Sequence, residues 1–141
     1  MKKPREQDTV HAILQLLHAH RIPAWRINTG ATTIGGRFIR FGTVGMSDIV
    51  GIVPRVVTRL SGAGVPDDGG RFLAIEVKSA QGLVTPAQQR FLDQVTAAGG
   101  TAFVARSVDD VARALDVPTS PTFGGQRISW ATQRRISADG P

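Results

Sequence analysis

The chain has 141 residues, a mass of 15.0 kDa and 41% hydrophobic residues, enough for one domain with a modest core. It contains no cysteine, which excludes disulfides, thiolate zinc sites and cysteine catalysis, so any metal must be held by oxygen or imidazole. The net charge of +6 is carried by the first part of the chain: residues 1–60 hold nine Lys/Arg against three Asp/Glu, and residues 61–141 hold eight of each.

No acid occurs between Asp8 and Asp48, whereas Arg21, Arg26, Arg37 and Arg40 all fall there. A one-sided positive field of this kind suits a polyanion such as nucleic acid. A general taste for arginine (14 Arg to three Lys) explains Arg over Lys but not the missing acids. The charged start "MKKPREQD" is not followed by an apolar signal segment, and no apolar run approaches the length of a membrane span. We therefore expect a cytoplasmic protein without membrane contact.

In chain order, residues 5–20 predict a helix, because Val10, Ile13, Leu14 and Leu17 repeat at i, i+3, i+4, i+7. Glu6, four residues before Val10, falls on or beside that apolar face. His11, His18 and His20 share no face and lack metal-ligand spacing, so they read as surface residues. Ala24–Asn28 predicts a strand, followed by a Gly-rich loop and a short strand near Arg37–Phe41, "RFIRF". The stretch from "GATTIGG" to "GRFIRFG" suits a plain hairpin or a loop closing over a ligand. "SDIVGIV" (Ser47–Val53) is the next strand, with Asp48 at its start. "PRVVTRL" extends it and "SGAGVPDDGG" is a turn-rich loop.

Arg71–Lys78 is an apolar strand interrupted at its end by Glu76 and Lys78. Thr85 followed by Pro86 caps a helix that runs to about Ala98 and stops at Gly99-Gly100. Thr101–Ala105 is a short strand, and Ser107 caps a last helix with Asp109 and Asp110 in its first turn. Strand, helix, strand is a βαβ unit, so Arg71–Lys78 and Thr101–Ala105 should be parallel in a mixed α/β sheet covered on both faces. We expect a domain over residues 1–117 and a Pro/Gly/Ser/Arg-containing tail over 118–141, with Trp130, Arg127, Arg134 and Arg135, serving as a disordered segment, a basic arm or a dimer contact.

The chain has two glutamates, Glu6 and Glu76, and both lean toward apolar faces. Side chains two apart share a strand face, so Glu76 and Lys78 point the same way at the C-terminal end of a central strand, where α/β sheets form ligand crevices. Burying carboxylates costs roughly several kcal/mol unless a cation or hydrogen bonds compensate. Lys78 offsets one charge, and a hard divalent ion, Mg2+ with Mn2+ as a substitute, suits the rest. Asp48 and Glu76 form a candidate ligand set, and the backbone carbonyl of Val77, between Glu76 and Lys78, could complete it. Lys78 is placed to stabilise a phosphate transition state or orient water. Taken alone, a Glu–Lys ion pair at a strand end accounts for E-x-K as well.

Together, "GMSDIVGIV", "FLAIEVKSAQGLVTPAQQRFLDQVTAAGG" and "TAFVARSVDDVARAL" resemble the VRR-NUC family, a branch of the PD-(D/E)XK nuclease superfamily related to Holliday-junction resolvases. The likeness spans about Glu6 to Leu115. Gly45, Ser47 and Asp48 match its G-x-S-D element, Glu76, Val77 and Lys78 its E-V-K element, Gln88 its helical glutamine and Glu6 its N-terminal glutamate. The resemblance implies a restriction-endonuclease-like α-β-β-β-α-β core with a mixed sheet flanked by helices. It implies Mg2+ held by Asp48, Glu76 and the Val77 carbonyl, with Glu6 a further candidate ligand. It also implies a catalytic Lys78 and auxiliary catalytic roles for Gln88 and Glu6. Gln88 also falls on the inward face set by Phe91, Leu92 and Val95, unlike Gln89.

Small stand-alone members resemble phage-encoded enzymes acting on branched DNA as homodimers. The expected activity is therefore a structure-specific DNA endonuclease, a junction resolvase or nickase. Arg21, Arg26, Arg37, Arg40 and Ser47 would meet the DNA. The alternatives are a non-catalytic nucleic-acid-binding module retaining the nuclease fold, or a metal-stabilised interaction domain without a nucleic-acid role. The complete set of site residues weighs against the first and the acid-free stretch against the second.

Overall fold

The structure, a computed structural model, describes residues 5–54 and 69–119 and the backbone of residues 122–123 and 126–127. In chain order the elements are α1 (Glu6–Ala19), β1 (Ala24–Arg26), β2 (Gly30–Ile34), β3 (Arg37–Phe41), β4 (Ile49–Val53), β5 (Arg71–Val77), α2 (Pro86–Ala97), β6 (Thr101–Ala105), α3 (Val108–Leu115), and the two-residue strands β7 (Thr122–Phe123) and β8 (Gln126–Arg127). The extension and loop expected over 55–68 lie outside the described residues, as does most of the expected C-terminal tail.

A four-stranded mixed sheet in the order β1-β4-β5-β6 forms the centre. β4 runs antiparallel to both β1 and β5, whereas β5 and β6 are parallel, as the βαβ reading expects. Removing the β2–β3 hairpin leaves the order α-β-β-β-α-β, followed by α3. The restriction-endonuclease-like core is therefore present, with a hairpin inserted between its first two strands.

The burial alternation along β4, with Ile49, Gly51 and Val53 buried, assigns one sheet face to the core. On that face Ile49, Val53, Leu73, Ile75, Val77 and Ala105 pack with Val10, Ile13, Leu16 and Leu17 of α1 and Val111 and Leu115 of α3. Each fully buried Leu or Ile contributes about 1.5–3 kcal/mol relative to exposure. Leu16 widens the expected helical stripe because α1 contacts α3 as well as the sheet.

Among the described residues, the opposite face is covered by α2, and only beside β5 and β6. Where β1, β4 and the start of β5 lie, Trp25, Ile52 and Phe72 remain 55%, 44% and 45% exposed. The register sets these three side chains on one face, because Trp25 is opposite Val50 and Ile52 opposite Phe72. Among the described residues, the expected cover on both faces is thus complete on one and partial on the other.

The hairpin is a separate two-stranded sheet with every residue exposed. Its turn is Gly35-Gly36, with φ of 56° and 77°. Positive φ at both central residues is what one of the two favoured two-residue hairpin turns, type I′, requires, and glycine adopts it without a Cβ clash.

Candidate active site

Because β4 and β5 are antiparallel with Ile49 opposite Ile75, the start of β4 lies beside the end of β5. Asp48 sits at that start. Its Oδ2 accepts the Val77 N–H at 2.8 Å, and its main-chain carbonyl accepts the Ile27 N–H at 2.7 Å. One residue thus joins β1, β4 and β5. An extended residue sends its N–H and C=O to the same side, so the Val77 carbonyl is directed toward the Asp48 side of the strand. The next N–H, that of Lys78, goes the other way, to the Ala105 carbonyl at 3.0 Å.

Glu76 is 1% exposed. Its Oε1 receives two donors, the Gln88 amide at 2.5 Å and the Lys78 ammonium at 3.0 Å. Its Oε2 is buried with no hydrogen-bond partner among the described residues. Burial drives the Glu76 carboxyl above the ordinary glutamate range, the Lys78 hydrogen bond and charge oppose this, and the negative charges of Asp48 and Glu6 reinforce it. A buried carboxylate oxygen without a donor is costly. It is stabilised either by a proton or by a cation on that oxygen.

Gln88 is aimed by the start of α2. Its backbone N–H donates to Thr85 Oγ1 at 3.2 Å, and its Oε1 accepts the Thr85 N–H at 2.9 Å, a reciprocal capping box. With its oxygen committed there, the amide nitrogen is the end that faces Glu76. Gln89 turns outward and donates to Asp93 Oδ1 at 2.8 Å, as the periodicity expects. Gly45 brings the preceding loop onto the same turn. At φ 83°, a Cβ here would come within 2.6 Å of the Ala87 carbonyl oxygen, so the G-x-S-D glycine allows the Asp48 loop to lie against α2.

Glu6 opens α1 and is exposed, unlike the inward-leaning position its periodicity suggests. Its Oε1 accepts the Ser79 N–H at 2.9 Å, so it faces the end of β5. Arg106 Nη1 donates to the Ser79 carbonyl. The residue after Lys78 is therefore clamped on both its backbone groups. Arg106 was not legible from the motifs. Its signal is topological, since the parallel register places Ala105 beside Val77 and hence Arg106 at the crevice end of the sheet.

Among the described residues no three acidic or imidazole side chains converge to hold an ion. The structure brings together two carboxylates, Asp48 and Glu76, with Glu6 bound instead to Ser79. His18 and His20 donate to the carbonyls of Ala24 and Pro118 at 2.9 and 2.7 Å, which are structural contacts.

The expected DNA-contacting residues do not form one surface. Ser47 is fully buried and its hydroxyl lacks a hydrogen-bond partner among the described residues, so it lies inside rather than on the surface. Arg21 terminates α1 with φ 57°, its N–H donating to the His18 carbonyl and that of Ile22 to the Leu17 carbonyl. That is the left-handed cap usually given to glycine. It lies at the other end of a 14-residue helix from Glu6, about 20 Å along the axis. Arg26 is exposed and paired in register with Ile49, next to Asp48. Arg37 and Arg40 are exposed on β3, three positions apart and therefore on opposite faces of the hairpin.

Among the described residues no helix is long and apolar enough to cross a membrane. No curated protein and no solved structure matches the chain. The family model for the VRR-NUC domain matches residues 2–109.

Proposed function

Since the chain belongs to the VRR-NUC domain family, a family of nuclease domains, we propose that it is a Mg2+-dependent endodeoxyribonuclease that cuts branched DNA as a homodimer. The observation that carries this reading is the buried, unpartnered Oε2 of Glu76, set in a site whose other carboxylate, Asp48, faces the same strand end. A divalent cation fits that donor set: hard oxygen ligands, two negative charges, and a main-chain carbonyl at Val77 directed to the same side. When bound, Mg2+ or Mn2+ polarises a phosphate and makes water easier to deprotonate.

The remaining roles belong to this chain's own residues. Asp48 and Glu76 would hold the ion, with the Val77 carbonyl. Gln88 and Lys78 fix the Glu76 carboxylate through Oε1 and leave Oε2 available. Lys78, with 14% of its side chain exposed, presents a cation at the rim of the site, where negative charge develops on a phosphate under attack. Glu6 and Arg106 hold the Ser79 backbone and so limit where Lys78 can point. These are positioning residues. The half-exposed Trp25, Ile52 and Phe72 supply an apolar surface for a second copy.

A panel of four-way junction, flap, nicked, single-stranded and linear duplex DNA, each with Mg2+, Mn2+ or chelator, tests the proposal. We expect cutting of branched DNA that requires the metal, with paired symmetric nicks in a junction. Binding without cleavage of any member would overturn it.

A further inference from the structure

The β2–β3 hairpin is not used by the site residues, yet every one of its residues is exposed and it carries two kinds of chemistry. Register divides it into two faces. Gly30, Thr32, Ile34, Arg37, Ile39 and Phe41 share one, and Ala31, Thr33, Phe38 and Arg40 share the other. Phe41 is occupied within the hairpin, because its ring lies over Gly30, where a Cβ would come within 2.9 Å of it. Phe38 has no such role: it is 67% exposed and sits opposite Thr33, close to the glycine turn. Arg40 lies two residues on, on the same face.

We propose that this hairpin holds unpaired DNA bases, with Phe38 stacking on a base and Arg40 on the adjoining phosphate. The inference rests on the nuclease reading and names the feature of branched DNA that the chain selects. Three observations point to nucleic acid rather than protein. No acidic residue occurs from Thr9 to Ser47, a span that includes the whole hairpin. Neither Arg37 nor Arg40 has a carboxylate partner among the described residues. The base of the hairpin adjoins the active site: a pocket of about 320 Å³ is lined by Arg40, Phe41, Val44 and Gly45 among others, and Gly45 lies against the first turn of α2, beside Gln88. An aromatic face gains stacking only from a base whose own face is uncovered, so an exposed Phe near a hairpin tip favours single-stranded or splayed DNA over intact duplex.

The test measures binding of the full chain in chelator, so that cleavage plays no part. Anisotropy is read on a labelled fork with unpaired arms, a single strand, and a duplex of the same sequence. Phe38→Ala should weaken fork and single-strand binding by about tenfold, within the roughly 5- to 150-fold range of one lost base stack. Duplex binding should stay within about twofold, and Phe38→Trp should restore the fork preference. Exposure of Phe38 predicts an unchanged melting temperature for both variants.

Equal loss on fork and duplex, no loss on either, or a wild-type chain that binds neither fork nor strand would overturn the proposal. So would a Phe38→Ala variant that binds DNA normally but changes from dimer to monomer in sedimentation, since the hairpin would then serve a second copy. Failure of the nuclease reading appears separately, as absent metal-dependent cutting by the wild type. A fork preference that depends on Phe38 would stand in that case.

Discussion

Asp48 accepts the Val77 N–H at 2.8 Å, so the carboxylate that begins one strand completes the hydrogen bonding of the strand beside it. The two roles this gives Asp48, structural acceptor and candidate metal ligand, are separable by substitution. Asp48→Asn keeps an acceptor oxygen for Val77 and should melt close to wild type, whereas Asp48→Ala leaves the buried Val77 N–H without a partner and should cost about 1–3 kcal/mol. Both should abolish cutting while leaving DNA binding largely intact. Denaturant unfolding paired with a nicking assay checks the split, and full activity in Asp48→Asn would remove Asp48 from the ligand set.

The raised Glu76 carboxyl makes a pH prediction. The folded protein holds this proton more tightly than the unfolded chain does. The stability linked to it is therefore whole below the unfolded value of about 4.3 and is lost as pH rises through the raised folded value. Glu76→Gln removes the buried charge and keeps an acceptor for Gln88 and Lys78. In chelator its melting temperature should exceed that of wild type by a margin that widens from acid to neutral pH. Added Mg2+ should raise the melting temperature of the wild type and not of Glu76→Gln. A constant difference across pH would argue against a buried charge as its origin.

Thr85 and Gln88 form one capping box but should fail differently. Thr85→Ala removes the side-chain cap and should cost about 1 kcal/mol. Its N–H survives to orient the Gln88 amide, so cutting should stay within about threefold of wild type. Gln88→Ala removes the donor to Glu76 Oε1 and should lower cutting about 10- to 100-fold, the usual range for a residue that orients a metal ligand. Steady-state cleavage on one branched substrate, with melting curves for both variants, separates the two effects.

Gly45 should tolerate no side chain. Its φ of 83° and the 2.6 Å approach of a Cβ to the Ala87 carbonyl both oppose alanine, and the backbone strain alone is worth about 1–3 kcal/mol. Gly45→Ala should destabilise the chain and displace the Asp48 loop from α2. Cutting would then fall even at temperatures where the variant remains folded by circular dichroism.

Where burial imposes a pattern, the elements could be read from the chain. The apolar run Leu73–Ile75 with Val77 and the inward turn of Gln88 rather than Gln89 follow from which face meets the core, and the parallel pairing of β5 with β6 follows from the helix that connects them. The hairpin had no such constraint: with both of its faces exposed, "RFIRF" need not alternate, and the pairing of β2 with β3 is fixed by the Gly35-Gly36 turn instead. Charge counting was right about the missing acids but carries no geometry. It grouped Arg21, which caps a helix far from Asp48, with Arg26, which lies beside it. Arg106 stayed hidden because its link to Ser79 spans 27 positions and depends on the strand register.

Binding of Mn2+ to the metal-free chain, followed by the loss of the free-ion paramagnetic resonance signal, tests the central claim most directly. The wild type should take up Mn2+ saturably, and Asp48→Asn and Glu76→Gln should each lose most of that uptake while remaining folded. Uptake by either variant equal to the wild type would contradict the assignment of the unpartnered Glu76 oxygen and Asp48 as the cation site.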